Sequence, residues 1–302
     1  MAAMKDKHGR PVVVVTGMGV VTSLGKGKDE NWAKLTAGES GIHTITRFPI
    51  EGLRTTIAGT VDFVPFENAP DLTTKMAALA GEEAVSEAKI GEAGAFPGPL
   101  FLGMPPVELE WPQRQDLAQA SGKAADITYA DILKGAAAKD FSAMQTRFLF
   151  GSVGDHLADR FGTKGAPISI STACATGATA IQLAVEAIRR GETDAALVIG
   201  ADGSANQESL ARFSLLSALS TRNDDPKAAA RPFAKDREGF VMAEGAGALV
   251  LESYEHATAR GATILGVVEG CGEMADSFHR TRSSPDGAPI IGCIKNALED
   301  AG

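Results

Sequence analysis

Residues 12–15 form an unbroken β-branched run, the pattern of a strand buried on both faces. Apolar runs at 99–103, 167–171, 194–201, 247–252 and 263–269 predict further strands. Between them, helical spacing predicts helices near 29–37, 73–89, 175–190 and 287–300. The helix at 175–190 is apolar on most sides (Ile181, Leu183, Ala184, Val185, Ala187, Ile188) and is expected to be buried all round. It closes on Arg189-Arg190-Gly191, two cations and a glycine stop. Residues 104–150 mix prolines with short helical patterns and read as an inserted cap, with two or three helices leading to Phe161. Strands alternating with helices imply an α/β sheet covered on its faces. A new cycle opens at Ala262 and stops at Asp300-Ala301-Gly302 after one strand and one helix, as expected of a fragment or a truncated gene product.

Composition narrows the classes. The chain has 302 residues, 44% hydrophobic and 22% charged, enough for a large core in one or two domains. A net charge of −9 lacks the basic footprint of a nucleic-acid binder. Three cysteines, odd in number and widely spaced, argue against a disulfide framework and fit a reducing cytoplasm. No stretch approaches the ~20 apolar residues of a membrane span. The first residues, Met1 to His8, lack the apolar core of a signal peptide. A cytoplasmic protein that engages neither nucleic acid nor membrane is expected. Neither C-x-x-C nor H-E-x-x-H occurs, so no metal is expected either.

Two glycine clusters invite phosphate chemistry and fail on detail. Gly17-Met18-Gly19 follows a strand, but the third glycine of G-x-G-x-x-G would fall at Thr22. Residues 17–23 therefore read as a loop. Gly245-Ala246-Gly247 is not followed by Lys-Ser/Thr and reads as a tight approach of backbones. Residues 231–233 and 236–240 form a charged, glycine-punctuated loop whose arginine, aromatic and glycine content predicts a fixed position.

Cys174 carries the strongest chemical signal. The segment Ser169-Ile170-Ser171-Thr172-Ala173-Cys174-Ala175-Thr176-Gly177 runs from a strand through small residues into a helix. A thiol there meets the free N–H groups and the positive end of a helix, a setting that favours the nucleophilic thiolate. A nucleophile on a sharp strand-to-helix turn recurs in acyl-transfer enzymes. Cys271, ending an apolar run, and Cys293, inside a helical pattern, read as packing residues. Of the five histidines, His279 lies in a loop after a strand and is the one placed to approach a cleft; a loop histidine without chemistry is the competing reading.

Ser171-Thr172-Ala173-Cys174, Leu219-Ser220-Thr221-Arg222-Asn223, Arg231-Pro232-Phe233 and the run from Asp236 to Gly247 resemble, in order and spacing, the β-ketoacyl-[acyl-carrier-protein] synthases of the elongating type. The opening from Val14 to Ser23 fits the same family. The resemblance implies a thiolase-like fold, layered helices and mixed sheets in the order α-β-α-β-α. The first half would span 11–255, and 262–302 would be the start of a second, truncated half. It implies that Cys174 accepts the acyl group and that malonyl-carrier then loses carbon dioxide and condenses with it. It further implies that no cofactor takes part, that acyl carrier protein is the partner, and that the protein is a homodimer. Phe213 matches a position lining the acyl pocket. Met104 and Pro106 fall in the stretch that shapes that pocket, and Asp276 and His279 fall in a loop at the entrance. Two departures stand out. The decarboxylating histidines and lysine, one histidine within His-Gly-Thr, do not occur in these residues, so the chain alone is expected not to condense. Met104-Pro105-Pro106-Val107-Glu108 replaces a glycine-rich stretch. A non-catalytic subunit that sets chain length, or a thiolase-like enzyme acting on coenzyme A, are the alternatives.

Overall fold

The computed structural model of the chain describes residues 4–123, 125–279 and 281–302. Strand β1 (Val13–Thr22) leads into β2 (Gly25–Lys26) and helix α1 (Lys28–Thr36). A two-stranded ribbon, β3 (His43–Thr44) and β4 (Ile57–Ala58), precedes the long helix α2 (Ala69–Ala88). Strand β5 (Leu100–Gly103) enters the insert, which holds α3 (Trp111–Ala120), α4 (Tyr129–Ala138), α5 (Ser142–Arg147) and α6 (Ser152–Phe161). Then follow β6 (Ile168–Ile170), α7 (Thr176–Arg189), β7 (Ala195–Asp202) and α8 (Gln207–Leu215). After a long loop come β8 (Gly245–Ser253), α9 (Tyr254–Ala259), β9 (Gly266–Val268) and α10 (Ala288–Ala301).

One mixed sheet of seven strands organises the molecule, in the order β2-β1-β8-β7-β5-β6, with β9 paired to β1. Strands β5, β6 and β7 run parallel, while β8 runs antiparallel to both β7 and β1. Alternate residues feed opposite cores, as the two-residue repeat of a strand requires. Leu100, Leu102, Leu197 and Ile199 face α2 and α6, whereas Phe101, Ala196 and Val198 face α7.

Two expectations are corrected. Residues 17–22 are strand, not loop. Gly17 and Gly19 are there because α2 lies against β1 at backbone distance: a Cβ on Gly17 would sit 2.0 Å from the Ala84 carbonyl oxygen, and one on Gly19 equally close to that of Ala80. A shift of register between Val15 and Gly17 lets the strand bend there. Second, α7 is buried on one side only. Thr176, Ala180, Ala184, Val185, Ala187 and Ile188 are buried, while Ile181 and Leu183 are half-buried and Ala178 is exposed. The sheet covers a single face of this helix. Beside it an open groove of about 890 Å³ runs between α7 and α1 over Val198, Gly200 and Leu249.

The far end of the sheet is fastened by a buried charge. Glu252 of β8 is wholly buried and accepts hydrogen bonds from Thr16 Oγ1 (2.5 Å), His256 Nδ1 (2.6 Å) and Arg260 Nη2 (2.5 Å). Arg260 also donates to the carbonyls of Ala88 (2.8 Å) and Lys89 (3.0 Å), closing the C-terminal end of α2. Burial pushes the Glu252 carboxyl up, but the bonds from Arg260, Thr16 and His256 outweigh it and hold it below the usual carboxylate value. A carboxyl depressed in the fold stabilises above its unfolded value and loses that contribution as pH falls through the folded one. Glu252→Ala is therefore expected to cost about 3–5 kcal/mol at neutral pH, since it strands the Arg260 cation. Urea denaturation of both proteins checks this, and the difference between them should shrink as pH falls below about 4.

Candidate active site

The parallel strands β5, β6 and β7 end on the same side of the sheet, and Cys174 stands at that end. Beyond Ile170, residues 173–175 make one 3₁₀ turn before α7 begins. Ala173 takes φ +52°, in the left-handed region that a side chain disfavours. Two hydrogen bonds hold it. The Thr172 N–H donates to Thr176 Oγ1 at 2.8 Å, and the Thr176 hydroxyl donates to the Ala173 carbonyl at 2.5 Å. Thr176 is buried under the turn. It fits because Gly103, at the end of β5, lacks a Cβ that would stand 2.9 Å from it. The result is a strand-to-helix elbow that leaves Cys174 exposed.

The other thiols are differently placed. Cys271 is half-buried against the α7 core, and burial pushes its thiol up. The Cys293 thiol donates to the Gly272 carbonyl at 3.1 Å.

Around the elbow the structure gathers some of the expected residues. Met104 is buried, and its N–H donates to the Ile170 carbonyl at 3.1 Å, one residue before the turn sequence starts. Pro106 is exposed. The segment behind it is tied down at two points: Glu108 pairs with Arg212 of α8 at 2.6 Å, and Glu110 accepts from the Ala69 N–H at 2.5 Å. Burial pushes the Glu110 carboxyl up. Phe213 of α8 meets Phe240 edge-on with ring centres 5.5 Å apart. None of Met104, Pro106 and Phe213 lines the large groove.

Phe240 belongs to the charged loop, which is fixed as its composition predicts. Its N–H donates to the Ala218 carbonyl at 3.0 Å. Gly239, at φ +149°, lies where a Cβ would come within 2.5 Å of the Leu219 carbonyl carbon. Ser220 Oγ donates to Glu238 at 3.0 Å. The Arg231 guanidinium, paired with Asp236, holds that carboxyl below its usual range.

The loop bearing Asp276 and His279 folds on itself. Asp276 accepts from the N–H groups of Phe278 (3.0 Å) and Ser284 (2.9 Å), and the His279 ring accepts from the Thr281 N–H at 3.1 Å. The contact of this loop with the elbow is made instead by Glu273, which accepts from Thr179 Oγ1 at 3.3 Å. Thr176, Thr179 and Glu273 escape a reading of the sequence. The two threonines, two and five residues past the cysteine, are the signal that was there to read.

Comparison with known proteins shows the family. The family model of the β-ketoacyl synthase N-terminal domain matches residues 10–85 and 115–257. The chain belongs to the β-ketoacyl synthase family. It is 33% identical over 305 residues to 3-oxoacyl-[acyl-carrier-protein] synthase 2 of Coxiella burnetii, covering 96% of this chain and 69% of that one. To the enzyme of the same name from Vibrio cholerae it is 34% identical over 309 residues, with the same coverage of 96% and 69%. Among solved structures it matches a type II polyketide acyl-carrier protein in complex with its ketosynthase bound to the hexaketide. That match has a TM-score of 0.82 at 31% identity, covering 97% of this chain and 70% of that one. The ishigamide ketosynthase/chain length factor matches with a TM-score of 0.76 at 32% identity, covering 97% and 70%. The fold is thiolase-like, as the sequence motifs imply. Among the described residues no helix is long and apolar enough to cross a membrane.

Exposure on the elbow should make Cys174 the reactive thiol of this family member. Brief treatment of the folded protein with iodoacetamide at neutral pH, read by peptide mass spectrometry, is expected to modify Cys174 at least about tenfold faster than Cys271, whose buried thiol is held in its neutral form. Equal rates at both would contradict this account of the elbow.

Proposed function

We propose that this protein is a β-ketoacyl-[acyl-carrier-protein] synthase in which Cys174 takes the acyl group. The observation that carries the reading is the exposed Cys174 on a left-handed elbow at the carboxyl ends of parallel strands. The Cys174 thiolate attacks the acyl thioester of the phosphopantetheine arm of an acyl carrier protein. A new carbon–sulfur bond forms, the old one breaks, and the carrier thiol leaves with the proton. An amide N–H at the elbow, that of Cys174 itself, would steady the oxyanion that forms in between. In the second half-reaction malonyl-carrier loses carbon dioxide, and its carbanion displaces Cys174 from the acyl group to give the β-ketoacyl-carrier. These residues contain no His-Gly-Thr, and acyl transfer to Cys174 is the half-reaction they support.

Phe213, with Met104 and Pro106, forms one wall of the acyl pocket in this reading. The Glu108–Arg212 pair fixes that segment to α8, and the Phe213–Phe240 contact fixes the other side. Asp276 and His279 shape the entrance. No cofactor is needed, and the protein works in the cytoplasm. It is a homodimer: among the described residues β6 ends the sheet with an unpaired edge, and Ile168 on it is 42% exposed. Such an edge invites strand pairing with a second copy.

Incubation with a long-chain acyl carrier protein is expected to add one acyl mass to Cys174 and none to Cys174→Ala. A protein that binds the carrier but stays unacylated would instead favour a subunit that sets chain length. Acylation from acyl-coenzyme A at the same rate would favour the coenzyme A reading. Light scattering is expected to show a dimer, and Ile168→Lys is expected to shift it toward monomer.

A further inference from the structure

The geometry points to Glu273 as a positioning residue that clamps the Cys174 elbow. Its role in acyl transfer rests on the function proposed above. Glu273 follows β9 in a loop pressed onto α10. A Cβ on Gly272 would stand 2.3 Å from the Cys293 carbonyl oxygen, so the backbone has no slack there. The Cys293 thiol donates to the Gly272 carbonyl at 3.1 Å, and Asn296 Nδ2 donates to that of Glu273 at 3.4 Å. The backbone of Glu273 is thus fixed to α10 while its side chain reaches α7.

On α7 it meets Thr179, whose hydroxyl lies 3.3 Å from Glu273 Oε1 and 3.0 Å from the Thr172 hydroxyl. Each hydroxyl has one proton to give. The carboxylate is the strongest acceptor present, so Thr179 donates to Glu273 and its oxygen accepts from Thr172. Without the carboxylate, the Thr179 proton has the Ala175 carbonyl, 3.2 Å away, as its helical alternative. Thr172 precedes the strained Ala173, and Thr179 lies on the first turns of the helix that follows. The chain Thr172–Thr179–Glu273 therefore spans the turn that presents Cys174 and ties both sides of it to α10. This joins the elbow to the loop carrying Asp276 and His279, which does not touch it through those residues.

The test is the alkylation rate of Cys174 by iodoacetamide in the full chain, which needs no carrier protein, with thermal melts confirming that each variant folds. Glu273→Ala and Thr179→Val are each expected to slow alkylation about three- to tenfold, the range one hydrogen bond supports. The double variant should be no slower than the slower single, because both remove the same link. Glu273→Gln, which keeps an acceptor, and Thr179→Ser, which keeps the hydroxyl, should react within about twofold of the parent. If Glu273→Ala and Glu273→Gln both react faster, the carboxylate acts only through its charge and the clamp is overturned. Unchanged rates in Glu273→Ala, or additive losses in the double variant, overturn it as well. Acyl loading from carrier protein is scored separately. Loss of loading in the parent would refute the proposed function and leave the clamp standing, while a clamp failure leaves loading intact.

Discussion

The contact between α2 and β1 is the constraint on which the architecture rests. Side-chain-free positions at Gly17 and Gly19 let the helix settle until its carbonyls reach the strand, and Ala77, Ala80, Ala84 and Ala88 keep the helix side equally shallow. Interiors packed at this density transmit position, since no slack remains to absorb a shift. Once α2 is seated, its N-terminal half places the far parts of the site. Asn68 caps it by accepting from the Asp71 N–H at 3.0 Å. Thr73 accepts from the Gly203 N–H at 2.9 Å, just past the end of β7. The Ala69 N–H holds Glu110, where the insert begins its first helix. Thus a glycine pair in the first strand governs where a segment some ninety residues later comes to lie.

The elbow is a second, finer balance. A left-handed alanine costs about 1–2 kcal/mol, and each of the two hydrogen bonds that hold it returns about 0.5–1.5 kcal/mol. These are nearly equal, so the turn does not hold by its own bonds with any margin. Its conformation depends on what surrounds it: Gly103 leaving room for Thr176 below, and the threonine pair tied to the loop after β9 on the outside. A side chain set on such a turn is presented by its neighbours rather than by its own local sequence.

That dependence explains what could be read from the amino acids and what could not. The β-branched runs gave the strands because burial on both faces writes itself directly into composition, and the family motifs located Cys174. The glycines of β1 were read as a loop because a close helix approach and a turn ask for the same residue. The start of α2 lies at Ala69, earlier than its periodicity suggests, although Asn68, Pro70 and Asp71 spell a helix start. The all-apolar α7 predicted full burial, since periodicity reports what a helix could bury and not what lies beside it. Glu273 was invisible because its partner is ninety-four positions away in the chain, and only the packing of Gly272 on α10 brings the two together.

The two ends of strand β8 show how the molecule divides its strain. At the end remote from Cys174, Glu252 is held below the ordinary carboxylate value, and Asp300 likewise, burial being outweighed by the Cys271 N–H, Arg189 and Arg10. Those carboxylates are fully answered and fasten the fold. At the other end, where Gly245 pairs with Asp202 at the mouth of the parallel strands, Glu244 is pushed up by burial despite Arg47 and the N–H groups of Val61 and Ala205. Glu110 is pushed up on the same side. Left-handed non-glycine backbone is found at both ends: Ala173, Ser217 and Phe233 lie in the elbow and the loops after α8, Lys89 caps α2 beside Arg260, and Asp126 lies in the insert. Carboxyls raised by burial persist only where the surroundings hold them, and they gather at functional sites. The raised Glu110 and Glu244 at one end of the sheet, opposite the depressed Glu252 and Asp300, mark that end as the candidate site independently of the cysteine.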